Sequence, residues 1–318
     1  MTEDISNSNT HKDADEGGFF VKSEGFLTPP PLLTMVVEDI EKIYGEHSSS
    51  LLGISTGFDD LDRATSGFQP GNLIVVAGAP SIGKTTFAMN IAQHISVAGK
   101  RPVAIFCMEM TEKQLISRML SAEGRINHLD LCYGRLIDAD WGKLTHALGK
   151  LHAAPFIFSP AANAKWTVSS FRERLLEIRD EGVEISLIVI DSVQHLDVDS
   201  FVSSYDRNIQ LTEQIRQIKK MALEFGVPVI LTSPLSREFQ SRTNKRPVLN
   251  DLRDIGILEY MADLVLFIYR DEADNKDSLD TKLAEINIAK NSNGPVGYFQ
   301  LAFQPQYFRF DNLASKIE

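Results

Sequence analysis

The sequence predicts an α/β fold: a mainly parallel central sheet covered by helices on both faces, with an antiparallel hairpin at its C-terminal edge. Three observations carry that expectation. Short, almost continuously apolar runs alternate with amphipathic stretches from Leu51 to Leu313. One of these runs, LIVVAG at 73–78, passes through a glycine turn straight into a helical pattern. The last two runs are joined by Asn293-Gly294. Apolar strands without polar alternation are buried on both faces, as in a parallel sheet flanked by helices. Asn-Gly is the strongest short-range hairpin signal.

Taken in order, residues 1–28 are polar and acidic, with Glu3, Asp4, Asp13, Asp15 and Glu16, and read as a disordered tail. Thr28-Pro29-Pro30-Pro31 then sets up a helix start. Leu33, Val36, Val37, Ile40 and Tyr44 follow at helical spacing, closed by Gly45 and a short spacer at 46–50. Residues 29–50 thus form a linker helix and spacer ahead of one large domain at 51–318. The apolar stripe of that helix either folds back on its own domain or docks on a neighbouring subunit. Within the domain the strand candidates are 73–78, 103–108, 156–158, 187–191, 227–232, 264–269, 284–290 and 299–303. Helix candidates occupy 84–98, 111–123, 140–151, 168–181 and 206–225. No internal repeat is visible.

Composition narrows the class. The chain has 318 residues, 43% hydrophobic and 24% charged, the make-up of an ordinary globular protein. Its net charge of −11 argues against binding nucleic acid through overall basicity, but leaves room for a local basic groove. Cys107 and Cys132, without metal-type spacing, suit a reducing compartment. No signal-peptide pattern and no membrane-length apolar run occurs, so a cytoplasmic protein without a membrane partner is expected.

GAPSIGKTT at 78–86 carries the chemistry. A GxxxxGKT pattern between a strand and a helix is a phosphate-binding loop. Small residues let backbone N–H groups wrap the phosphates, and the helix N-terminus adds partial positive charge. Lys84 would reach the β- and γ-phosphates of ATP, and the Thr85 hydroxyl would ligate Mg²⁺. LIVID ends in Asp191, an acid at a strand tip that suits the second magnesium contact. Glu109 directly follows the strand after the phosphate loop's helix, where a carboxylate either activates the attacking water or caps the next helix.

At this point the residues resemble a family. STGFDDLDRATSGFQPGNLIVVAGAPSIGKTTFAMNIA (55–92), FCMEMTEKQLISRML (106–120), LIVIDSVQHL (187–196), VPVILTSPLSR (227–237), RPVLNDLRDIG (246–256) and IAKNSNGPVGYFQLAF (288–303) look like the C-terminal motor domain of DnaB-type replicative helicases. The opening pattern is shared with other RecA-like proteins; the last three segments discriminate. The resemblance implies a RecA-like ATPase that forms a hexameric ring around single-stranded DNA, hydrolyses ATP between subunits and docks a preceding helix, here 32–44, on the adjacent subunit. It implies that Gly78, Ser81, Gly83, Lys84, Thr85 and Thr86 hold phosphate and metal, with Asp191 near magnesium and Glu109 as the catalytic carboxylate. Arg118 would lie by the nucleotide base, or else be a solvated helix arginine. Arg237 would link nucleotide state to the DNA loop. Arg253, Asp254 and Gly256 would track the DNA backbone, where an arginine and backbone N–H groups hold phosphate without reading bases. Arg242, Lys245, Arg246 and Arg253 make this segment locally basic, which also fits a solvated loop.

Three departures from the family pattern stand out. The helical collar that precedes the linker in such helicases has no counterpart in the 28-residue tail, so ring bracing and primase contact are not carried over. Ser233-Pro234-Leu235-Ser236-Arg237 replaces SQLSR, and Pro234 has neither a side-chain amide nor a backbone N–H. AKQRNGP reads AKNSNGP, so the arginine that would reach a neighbour's γ-phosphate is Ser292, and Lys290 remains as a point charge. The leading expectation is a ring-forming DNA helicase or translocase with slowed turnover. Two others stand beside it: a nucleotide-binding, catalytically impaired paralogue that joins or regulates a host helicase ring, and a RecA-like recombination ATPase. A host helicase or a loader is a further partner on these readings.

Overall fold

The computed structural model describes residues 33–34, 36–38, 40–41, 51–159, 166–199, 206–236, 239, 242, 244–274 and 282–314; for 253–255, 273 and 274 it describes the backbone alone. The chain divides into two units, Met1–Ser50 and Leu51–Glu318. In the first, the described residues between 33 and 41 are helical, and Leu33, Val36, Val37 and Ile40 are exposed. The expected acidic tail, the spacer and Tyr44 lie outside the described residues.

The second unit is built on nine strands: β1 (Leu73–Gly78), β2 (Val103–Cys107), β3 (Phe156–Phe158), β4 (Leu187–Asp191), β5 (Val229–Pro234), β6 (Leu264–Tyr269), β7 (Leu283–Asn291), β8 (Gly297–Gln304) and β9 (Arg309–Asn312). They lie in the order β3-β2-β4-β5-β1-β6-β7-β8-β9, parallel from β3 to β6 and antiparallel from β6 to β9. The β7–β8 hairpin is present, but β9 pairs beyond it, so the hairpin is not the edge. Short and polar, RFDN carries too little apolar signal to announce a strand.

β1 shows why both faces are covered. Ile74 and Val76 pack on one side with Phe87, Ile91, Leu115 and Met119; Leu73, Val75 and Ala77 pack on the other with Phe171, Leu175, Ile215 and Ile218. These partners come from α2 (Lys84–Gln93) and α3 (Glu112–Gly124) on the first face, and α6 (Val168–Asp180) and α7 (Arg207–Phe225) on the second. Alternate strand residues point to opposite faces, so a strand sandwiched between helices must be apolar throughout. Phe87 is fully buried and stacks on Phe58 at 4.9 Å.

Several boundaries differ from expectation. The helix expected over 84–98 ends as α-helix at Gln93 and finishes as a π-turn at His94–Ala98. β5 starts two residues later than the apolar run. Three helices escaped the periodicity because they are short: α1 (Asp59–Thr65), α4 (His128–Tyr133) and α8 (Ile257–Met261). α5 (Asp138–His152) completes the set needed below. Among the described residues no helix is long and apolar enough to cross a membrane.

The opening STGFDDLD serves architecture. Asp62 is buried, and its carboxylate accepts from the Thr56 N–H (2.8 Å), the Thr56 hydroxyl (2.7 Å) and the Ser55 hydroxyl (2.7 Å). Gly57, at φ +84°, lies so close to the His94 ring that a Cβ would meet it at 2.6 Å.

Candidate functional site

Strand order creates the site. β2, β4, β5 and β1 lie side by side and run the same way, so their C-terminal residues Cys107, Asp191, Pro234 and Gly78 form one rim. In open α/β sheets ligands bind beyond these strand ends. An open cleft of about 710 Å³ lies here, lined by Ser81, Gly83, Lys84, Thr85, Thr86 and Glu109 together with Arg118, Asp191, Gln194 and Pro234.

Gly83 is the N-cap of α2 with φ +115°, a conformation that glycine adopts without strain; a Cβ would also meet the Phe310 ring at 3.0 Å. Gly78 is equally constrained, since a Cβ there would meet Ile268 O at 2.9 Å. The Lys84 ammonium folds onto the loop, donating to the carbonyls of Gly78 (3.1 Å) and Ala79 (2.9 Å). Burial lowers its pKa, opposed by the nearby Glu109 and Asp191 carboxylates.

Asp191 is almost wholly buried. It accepts from the hydroxyls of Thr85 (2.8 Å) and Thr232, with the Cys107 thiol at 3.6 Å. Burial raises its pKa, while the hydroxyl donors lower it. A divalent cation counters the same desolvation, so the Thr85 hydroxyl and the Asp191 carboxylate form a donor set that fits Mg²⁺. Among the described residues no cluster of three or more His, Cys, Asp or Glu forms a separate metal site.

Glu109 also lies in this cleft, at the bend between β2 and α3. The cap of α3 is Thr111, whose hydroxyl accepts from the Gln114 N–H while its own N–H donates to the Gln114 side chain. Helix capping is therefore supplied without Glu109. Its Oε1 instead faces the Ser192 hydroxyl (2.6 Å), Gln194 Nε2 (3.3 Å) and His195 Nδ1 (3.4 Å).

The expected Arg118 lines the cleft with its guanidinium 4.5 Å above the Phe308 ring, so it is not simply a solvated helix arginine. Phe308 and Arg270 are cleft residues that sequence reasoning missed. Arg270 follows β6, stacks on Phe303 at 4.2 Å and pairs with Glu272 at 2.7 Å. No motif marks either; both reach the cleft through the C-terminal strands. Ser192 and His195 lay inside a quoted motif, where the eclipsed i, i+3 geometry of the 3-10 turn at Val193–His195 was the available signal.

Other expected site residues lie elsewhere. Lys290 donates to the carbonyls of Glu259 (2.8 Å) and Tyr260 (3.1 Å), and does not line its own chain's cleft. Arg237 lies outside the described residues. Arg253 and Asp254 belong to a 3-10 helix, Leu249–Ile255, followed by Gly256 at the start of α8. Part of the basic character of this segment is neutralised internally. Arg242 pairs with Asp251 at 3.0 Å, and Arg246 pairs with Glu285 at 3.1 Å.

Residues 53–312 match the family described as the DnaB-like helicase C terminal domain. The chain is 42% identical over 296 residues to the replicative DNA helicase DnaB of Geobacillus stearothermophilus, covering 93% of this chain and 64% of that protein. It is 40% identical over 296 residues to the replicative DNA helicase DnaC of Bacillus subtilis, with the same coverage of 93% and 64%. It thus spans just under two thirds of the length of these relatives. Among solved structures, a free-standing ATPase domain superposes with a TM-score of 0.82 at 34% identity, covering 89% of this chain and 98% of that one. A DnaB-like replicative helicase studied with primase gives 0.82 and 34%, covering 89% of this chain and 68% of that one. The fold is RecA-like.

Proposed function

The chain belongs to the DnaB-like helicase C-terminal domain family, and on that premise we propose that it is an ATP-hydrolysing motor of the replicative helicase class, acting as a ring oligomer on single-stranded DNA. The observation that carries this reading is the convergence of Lys84, Thr85, Asp191 and Glu109 on one cleft from three strand ends.

Each residue has a role its surroundings support. Backbone N–H groups of the loop and the N-terminus of α2 cradle the phosphates. The Lys84 ammonium, close to the loop carbonyls and weakly hydrated, neutralises β- and γ-phosphate oxygens. Thr85 and Asp191 hold Mg²⁺, which when bound offsets the charge of those oxygens. Glu109 accepts the proton of the attacking water. Arg118 and Phe308 offer a planar cation and an aromatic face to the base.

Assembly has apolar surfaces to work with. The described helix presents Leu33, Val36, Val37 and Ile40. On the motor unit Leu129, Tyr133, Ile137, Trp141 and Leu148 are exposed along α4 and α5. In a ring the stripe of one copy covers the patch of the next. The Lys290–Ser292 hairpin then faces a neighbour's nucleotide, and Arg253, Asp254 and Gly256, with Arg237, follow the DNA.

A second reading is a catalytically impaired paralogue that binds nucleotide and joins a host helicase ring. Pro234 favours it: the residue lines the cleft where a γ-phosphate-sensing amide is expected, and offers no donor. Steady-state ATP hydrolysis with and without single-stranded DNA separates the two, with Lys84→Ala as the blank. DNA-stimulated turnover above the blank supports the motor; turnover equal to it supports the paralogue.

A further inference from the structure

Glu109 sits on a bend outside any ladder, where its side chain is free to rotate, yet a general base must be held to within a fraction of an ångström. A displacement of about 1 Å can lower a rate about 100-fold. The neighbours that restrain it come from the turn after β4. Ser192 Oγ lies 2.6 Å from Glu109 Oε1 and 3.0 Å from His195 Nδ1. His195 Nδ1 is itself 3.4 Å from the same carboxylate oxygen. The 3-10 turn at Val193–His195, closed by the His195 N–H on the Ser192 carbonyl at 3.0 Å, eclipses positions 192 and 195. Both side chains therefore stand on the side that meets Glu109.

We propose that Ser192 and His195 are positioning residues for the Glu109 base, with His195 acting through the Ser192 hydroxyl. This rests on the reading of Glu109 as the group that activates water. A serine hydroxyl has one proton and can give it to either neighbour. When His195 carries its proton on Nδ1 and donates to Ser192 Oγ, the hydroxyl proton is directed at Glu109. The carboxylate then receives a charge-assisted hydrogen bond on Oε1, supported by Gln194 Nε2 at 3.3 Å, and Oε2 is left to take the proton from water. Neither Ser192 nor His195 lines the cleft, so neither contributes to holding the nucleotide.

The pair is tested by measuring kcat and KM for ATP in the wild type and in Ser192→Ala, His195→Ala and His195→Asn. Asparagine can present an amide N–H where Nδ1–H stands; alanine cannot. The expected result is a kcat about 10- to 100-fold lower in the two alanine variants, KM within about twofold, and substantial recovery in His195→Asn. An unchanged kcat, a KM that rises in step with the loss, or no difference between asparagine and alanine at 195 overturns the proposal. A second measurement does not need turnover. Crystal structures of the wild type and of the Ser192→Ala/His195→Ala double variant should show Glu109 ordered in the first and displaced in the second. If the wild type turns over no faster than Lys84→Ala, the catalytic reading fails by itself. The crystallographic arm then decides the positioning, and an unmoved Glu109 overturns it.

Discussion

The Thr85 hydroxyl donates to the Asp191 carboxylate across 2.8 Å, although 106 positions separate the two in sequence. One residue belongs to the phosphate loop's helix and the other to the tip of a strand two places away in the sheet. Their meeting turns two sequence motifs into one metal-binding arrangement. Asp191→Asn should weaken nucleotide binding in Mg²⁺ by about 10- to 100-fold, the loss expected from one charged hydrogen-bonding partner. Titration calorimetry with Mg²⁺ and with EDTA checks this; an equal loss under both conditions removes Asp191 from the metal.

Ser292 follows β7 and donates its N–H to the Asp263 carbonyl at 2.8 Å, so the hairpin backbone is anchored whatever side chain stands at 292. Ser292→Arg should raise DNA-stimulated hydrolysis, by up to about 10³-fold if it restores a finger in trans. A rate equal to wild type means that this hairpin does not face a neighbour's phosphate.

Trp141 is 58% exposed and Val37 51% exposed, unusual for side chains of their kind. Val37→Asp and Trp141→Asp should each weaken self-association by about tenfold or more, given about 1.5–3 kcal/mol for burying one large apolar side chain. Analytical ultracentrifugation with nucleotide reads this out. Unchanged association in both variants excludes the stripe and the patch as the ring contact.

Cys107 and Cys132 should differ sharply in reactivity. Burial, reinforced by the Asp191 carboxylate, pushes the Cys107 thiol up to about 12, so it stays neutral at physiological pH. Cys132 is exposed. Native protein treated with iodoacetamide should be alkylated at Cys132 alone, and at both residues in urea, as measured by peptide mass spectrometry. Modification of Cys107 in the native state contradicts its burial against Asp191.

Asp62→Ala should destabilise the motor unit by about 2–4 kcal/mol, because it strands the Thr56 N–H and two hydroxyls in a buried turn. Urea unfolding followed by circular dichroism gives the difference. A change under about 0.5 kcal/mol, the size of an ordinary surface substitution, means that water replaces the carboxylate.

Strands β1, β3, β4 and β6 begin and end where the apolar runs do. A strand buried on both faces has no polar residue to blur its ends. The phosphate loop was equally legible, since strand, turn and helix are contiguous and its glycines answer to local backbone geometry. The remaining wall of the cleft was not. Arg270 reaches Ile82 O, at 3.4 Å, across 188 positions, and Phe308 meets Arg118 only because three antiparallel strands extend the sheet past β6.

By itself, then, the sequence determined the buried strands, the phosphate turn and the identity of the groups able to do chemistry, because each depends on near neighbours along the chain. Tertiary structure decided which of those groups meet. It set Glu109 against Ser192 and His195 and tied Lys290 to the carbonyls of Glu259 and Tyr260. It also turned two arginines of the basic segment toward Asp251 and Glu285. Such pairings follow from strand order and register, which arise from the packing of the whole sheet and are written in no single stretch of residues.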